Sequence, residues 1–86
     1  MNINDIVKEN NNVLIDFYAD WCWPCKQLTP ILESLPDNIK IVKVNVEQEP
    51  ELANKLWVTW IPAVFKYKNW ELVDTIIWVK DREIYL

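Results

Sequence analysis

The chain has no glycine and no histidine, and it has only two cysteines in 86 residues. A structural zinc site takes four ligands and a catalytic one three. With no histidine and no third cysteine, one copy would have to complete such a site with carboxylates or with a second copy, so no metal is expected. Long apolar runs are also missing, which excludes a membrane-spanning helix. Met1-Asn2-Ile3-Asn4-Asp5 lacks the basic start and apolar core of a secretion signal, so the expected location is cytoplasmic. Positive charge is in deficit: the net charge of −4 argues against nucleic acid or an anionic membrane surface as the partner. The missing glycine is an anomaly in itself, because a chain of this length would carry about six. In its place stand six tryptophans.

What is present suffices for one globular domain, residues 1–86, expected to be a monomer: 51% of the residues are hydrophobic. The chemistry gathers at Cys22-Trp23-Pro24-Cys25. Before it, Val13-Leu14-Ile15-Asp16-Phe17-Tyr18 reads as a buried strand. After it, Leu28, Ile31, Leu32 and Leu35 form an apolar stripe at helical spacing. Strand, short loop and helix place the Cys22 sulfur at a helix N-terminus, where unpaired N–H groups and the helix dipole favour a thiolate. A bridge closing so short a loop would constrain the unfolded chain little. In a reducing compartment such a bridge is catalytic more often than structural. The pair therefore reads as a thiol–disulfide couple.

No linker or repeat divides the chain. Asn2 to Glu9 has Ile3, Ile6 and Val7 at helical spacing, and Asn10-Asn11-Asn12 marks a turn. Pro30 falls inside the second helical pattern, which Pro36-Asp37-Asn38 is expected to end. Ile39 to Val46 reads as a second buried strand, parallel to the first through a right-handed crossover. Pro50 to Lys55 gives a short helix with proline in its first turn. Ala63 to Lys68 and Glu71 to Val79 are separated only by Asn69-Trp70, the spacing of a hairpin. Asp81 to Leu86 has room for little more than one helical turn. The order is αβαβαββ, an α/β fold with a mixed central sheet flanked by helices.

These residues resemble the thioredoxin family. The resemblance rests on Asp16-Phe17-Tyr18-Ala19-Asp20-Trp21-Cys22, on Pro24-Cys25-Lys26, on Pro30, on Ile61-Pro62 and on Lys68-Asn69. It implies the thioredoxin-like fold, here without the usual first strand and with a shortened final helix. It also implies a protein-disulfide reductase, an electron carrier that needs no cofactor beyond its Cys22–Cys25 couple. Its partners would be protein disulfides and a flavin-dependent, NADPH-using thioredoxin reductase. Carried over residue by residue, Cys22 is the nucleophile, Cys25 the resolving thiol, and Asp16 a buried acid–base group near Cys25. An alternative for Asp16 is a charge held for pairing with Lys43 on the neighbouring strand. Pro62 corresponds to the family's cis-proline, beside which backbone is free to take substrate as an added strand. Trp21, Trp23, Pro24, Trp60 and Ile61 complete the expected substrate side, with Trp21 a partly exposed lid rather than a core ring.

The departures from the family follow one rule. Trp23, Trp57, Trp60, Trp70 and Trp78 all stand where thioredoxins commonly have glycine. At Asn69-Trp70 the hairpin asks for positive φ, and Trp78 is expected to overpack a strand. Five coincident replacements point to one systematic cause: a glycine-free design, or a TGA codon that means glycine in the source read as tryptophan. They also define a second functional hypothesis, a redox-weak thioredoxin-like module that binds a partner by shape. Retention of both cysteines and Asp16 favours the reductase.

Overall fold

A computed structural model describes residues 1–86. Helix α1 spans Ile3–Glu9, strand β1 Asn12–Tyr18, helix α2 Trp23–Glu33, strand β2 Lys40–Asn45, helix α3 Pro50–Lys55, strand β3 Ala63–Lys68 and strand β4 Glu71–Ile77. A 3₁₀ turn at Arg82–Tyr85 follows. The sheet order is β2-β1-β3-β4, with β1–β2 parallel and the other two pairs antiparallel. This is the mixed α/β sheet that the element order implies.

β1 organises the rest because Val13 to Phe17 are buried on both faces of the sheet. On one face Val13, Ile15 and Phe17 meet Ile3 and Val7 of α1 together with Val42, Val44 and Phe65. The rings of Phe17 and Phe65 meet edge to face, with centroids 5.3 Å apart. On the other face Leu14 packs with Leu28 and Leu32 of α2, with Val64 and Ile76, and with Tyr85. Each aliphatic side chain so buried contributes roughly 1.5–3 kcal/mol. Alternation along β1 therefore places Asp16, between Leu14 and Tyr18, on the α2 face.

Element ends follow from local chemistry. The Asn2 side chain caps α1 by accepting from the Asp5 N–H at 3.3 Å. α2 stops at Glu33, short of the expected Pro36. The Ser34 hydroxyl donates to the Ile31 carbonyl at 2.7 Å, and the Arg82 guanidinium donates to the Ser34 carbonyl at 2.9 Å and to its hydroxyl at 3.0 Å. Leu35 continues the buried stripe from outside the helix. At the hairpin, Asn69 and Trp70 take φ of 49° and 72°, the left-handed pair that a two-residue turn requires. β4 ends at Ile77, so Trp78 lies just past the strand rather than inside it. The last segment is a 3₁₀ turn rather than an α-helix. It is locked in by Tyr85, whose buried hydroxyl accepts from the Lys80 N–H at 3.0 Å and donates to the Trp78 carbonyl at 3.4 Å.

Candidate active site

Where β1 ends, the chain turns tightly: the Cys22 N–H bonds the Ala19 carbonyl at 3.1 Å. Cys22 is the N-cap of α2, with extended backbone, and its sulfur accepts from the Cys25 N–H at 3.2 Å. A sulfur thus stands in for the hydroxyl or carboxylate that usually caps a helix. Pro24 occupies the first turn, where its missing N–H would have had no partner. Cys22 and Cys25 are joined as a disulfide with Cα atoms 5.3 Å apart. Both are buried against Ala19, with Tyr18, Val46 and Ile61 around them.

The two sulfurs' residues open onto different cavities. Cys22 lines a groove of about 560 Å³ with Trp21, Trp23, Pro24, Thr59, Trp60, Ile61 and Trp78. Trp21 is 68% exposed and lies outside the core. Five of the six expected substrate-side residues meet here. The sixth, Pro62, does not line the groove: it is buried, follows a cis Ile61–Pro62 bond, and its carbonyl accepts the Trp78 N–H at 2.9 Å. Held by that hydrogen bond, Trp78 lies at the groove and not in the strand expected from the pattern of Glu71 to Val79. Thr59 has no sequence signal of its own.

Cys25 lines a second cavity of about 290 Å³, with Tyr18, Ala19, Asp20, Lys26, Thr29 and Lys43. Asp16 is fully buried, and neither carboxylate oxygen has a hydrogen-bond partner. Burial pushes its carboxyl up to about 6, against the opposing pull of the Lys43 charge. Lys43 does stand opposite Asp16 in the β1–β2 register. The direct pairing weighed as the alternative for Asp16 is nevertheless not made. The Lys43 ammonium donates to the Thr29 hydroxyl at 2.9 Å and lies 5.5 Å from the Tyr18 ring centre. Its long stem lets the charge stay in water while the carboxylate remains in the core. No group of three or more His, Cys, Asp or Glu side chains is gathered as an ion site.

The tryptophans divide into two sets. Trp57, Trp70 and Trp78 hold φ of 59°, 72° and 74°, where a side chain costs energy and glycine does not. Trp23 and Trp60 are not in that region. All five rings are exposed, between 49% at Trp78 and 86% at Trp57. The overpacking expected at Trp78 is therefore absent. Its cost lies in the backbone, because the chain places its ring outside the core.

The thioredoxin family model matches residues 2–84. A thioredoxin from Streptomyces clavuligerus is 40% identical over 85 residues, covering 95% of this chain and 79% of that one. A thioredoxin from Chlamydia caviae is 43% identical over 74 residues, covering 83% and 72%. Among solved structures, a mutant thioredoxin from Halobacterium salinarum superposes with a TM-score of 0.87 at 31% identity, covering 95% of this chain and 74% of that one. The oxidised mitochondrial thioredoxin 3 from Saccharomyces cerevisiae gives 0.85 at 32% identity, covering 94% and 79%.

Proposed function

The chain belongs to the thioredoxin family and is a thiol–disulfide oxidoreductase of the protein-disulfide reductase type, and on that premise we propose how its residues divide the reaction. Cys22 is the nucleophile. In the dithiol form its thiolate, favoured by the N-terminus of α2 and the Cys25 N–H, attacks one sulfur of a substrate disulfide and expels the other as a thiolate. Cys25 then loses its proton to the Asp16 carboxylate and attacks the Cys22 sulfur. The Cys22–Cys25 bond forms, the Cys22–substrate bond breaks, and the second substrate thiolate leaves and takes up a proton. Two electrons pass from the dithiol to the substrate disulfide. Lys43 sets the field in which Asp16 titrates.

The observation that supports this order most directly is that the two buried cysteines line different cavities. Only Cys22 lines the aromatic groove, and Cys25 lines the polar cavity instead. Ile61 lies between the groove and β3, and neither its N–H nor its carbonyl is taken by another backbone group. An extended substrate segment can pair there as an added strand. Trp21, Trp23, Pro24 and Trp60 then flank the segment, and Pro62 supports the Ile61 backbone from within.

Residues 1–86 act in this reading as one monomeric domain in the cytoplasm. The couple is the protein's own, so no further cofactor is invoked, and a flavin-dependent reductase drawing on NADPH returns the disulfide to the dithiol. No helix is long and apolar enough to cross a membrane. The test uses the reduced chain with insulin as the disulfide substrate. Cys25→Ser should accumulate a mixed disulfide through Cys22, and Cys22→Ser should accumulate none. A Cys25→Ser protein that forms no adduct would overturn the assigned roles.

A further inference from the structure

Thr29 has no part in the division of roles above, yet it touches both sides of the proton-handling cavity. It sits one turn after Cys25 on α2, half-buried. Its hydroxyl donates to the Cys25 carbonyl at 3.4 Å and accepts from the Lys43 ammonium at 2.9 Å. The same ammonium lies against the Tyr18 ring. Two contacts on different elements thus fix a flexible cation at the wall of the cavity that Cys25 also lines. Asp16, in register with Lys43 one strand away, is left with both oxygens unpartnered.

A buried carboxylate with no partner is costly, and a lysine on the next strand is the obvious group to relieve it. Hydration favours leaving that ammonium outside the core, and a specific contact with Thr29 adds to it. Resting on the reading of Asp16 as proton acceptor for Cys25, we propose that Thr29 is a positioning residue, whose hydroxyl holds the Lys43 ammonium at the cavity wall and so keeps Asp16 free of a direct ion pair. The consequence is chemical. A carboxylate locked to an ammonium becomes a weaker base, while one left in an apolar setting takes a proton near neutral pH. Thr29 thereby preserves the basicity that the resolving step uses.

Few other charges compete for this effect. From β2 the facing group is Lys43. From α2 they are Cys25 and, on the same cavity, Lys26, with Asp20 contributed by the preceding loop. From the 3₁₀ turn it is Tyr85, whose hydroxyl burial holds above its ordinary range, with a smaller push from the Asp16 charge itself. On this face β3 carries Val64 opposite Asp16 and, one pair further along, Lys66 opposite Leu14, while β4 carries Ile76 and Asp74, the latter paired in register with Lys66.

The experiment follows decay of the Cys22 mixed disulfide, in single turnover across pH, for the native chain, Thr29→Val, Thr29→Ala, Thr29→Ser and Lys43→Met. Removing the hydroxyl frees Lys43 to approach Asp16, so the acid limb of the resolving step should move down by about one pH unit, the size of effect expected from a nearby opposite charge. Thr29→Ser should restore the native limb. In the Lys43→Met background, Thr29→Val should move nothing. Native midpoints in both Thr29→Val and Thr29→Ala would overturn the proposal, as would a shift that persists without Lys43. Asp16→Asn separates the two levels of inference: an acid limb that survives it removes Asp16 as the base, whereas loss of the limb there with no Thr29 effect removes only the role of Thr29.

Discussion

Cys22 and Cys25 are three residues apart and covalently joined, yet they face two unlike surroundings. Around Cys22 the walls are indole rings, a proline and an isoleucine, with Thr59 the one polar side chain. Around Cys25 the walls carry Asp20, Lys26, Thr29 and Lys43. The contrast teaches how a small fold separates two tasks that one sulfur atom cannot perform at once. An apolar, open surface suits the docking of a polypeptide, the role proposed above for this groove. A polar recess suits the movement of a proton, the task proposed above for Cys25 and Asp16. The N-cap position sets Cys22 against the first cavity, and Cys25, three residues on in α2, lines the second.

The largest effect that would sharpen this contrast lies on the proton side. Because Asp16 has a folded-state pKa above its unfolded value, the native chain binds more protons than the unfolded one between about pH 4 and 6. Stability should therefore fall as pH rises through that window, and the loss should persist above it. A shift to about 6 corresponds to roughly 3 kcal/mol. Asp16→Asn should flatten the window in urea melts at successive pH values and slow resolution of the mixed disulfide more than the initial attack. Equal pH slopes in the two proteins would break the assignment of a raised carboxyl.

Next in size is backbone strain, which reaches the groove only at Trp78. Trp57, Trp70 and Trp78 each hold a left-handed backbone, at about 1–2 kcal/mol apiece. Glycine gives back part of that through its own loss of freedom on folding. Restoring glycine at all three should raise Tm by about 10 °C. An unchanged Tm would show that the exposed rings compensate their backbones. The codons bear on the origin of the pattern: ordinary TGG at all five unusual tryptophans would exclude a translational cause.

The smallest effect concerns selectivity. Trp60 is not strained, but its ring lines the groove beside Ile61. Trp60→Gly should increase turnover of insulin several-fold relative to a small aromatic disulfide, since only the protein needs the surface next to Ile61. A change of equal size for both substrates would remove Trp60 from the docking surface.

Sequence patterns carried the fold far. β1, α3 and the hairpin were legible because an unbroken apolar run, a proline in a first turn and a two-residue spacing each admit few geometries. The end of α2 was not: the apolar stripe runs on through Leu35, and the stop depends on Arg82 reaching Ser34 from 48 residues away. The Asp16–Lys43 register was readable from strand pairing, but the lysine's actual partner was not. Nothing in the spacing of Thr29 and Lys43 announces a hydrogen bond between a helix and a strand. Three of the five glycine-like positions show glycine geometry, so resemblance located backbone demands that propensity alone would have denied to tryptophan.

β1 has one further consequence, visible in how its amide hydrogens should exchange with solvent. It is bonded to β2 on one side and β3 on the other and is buried on both faces, while β4 is an edge strand with six of its seven side chains exposed. Amides of β1 should exchange only when the whole molecule opens, and those of β4 by local fluctuation. The carboxylate of Asp16 is thus mounted on the slowest-exchanging segment, whereas Trp78 hangs from the end of the fastest strand. The rim of the groove at Trp78 should therefore fluctuate more readily than the segment that carries Asp16.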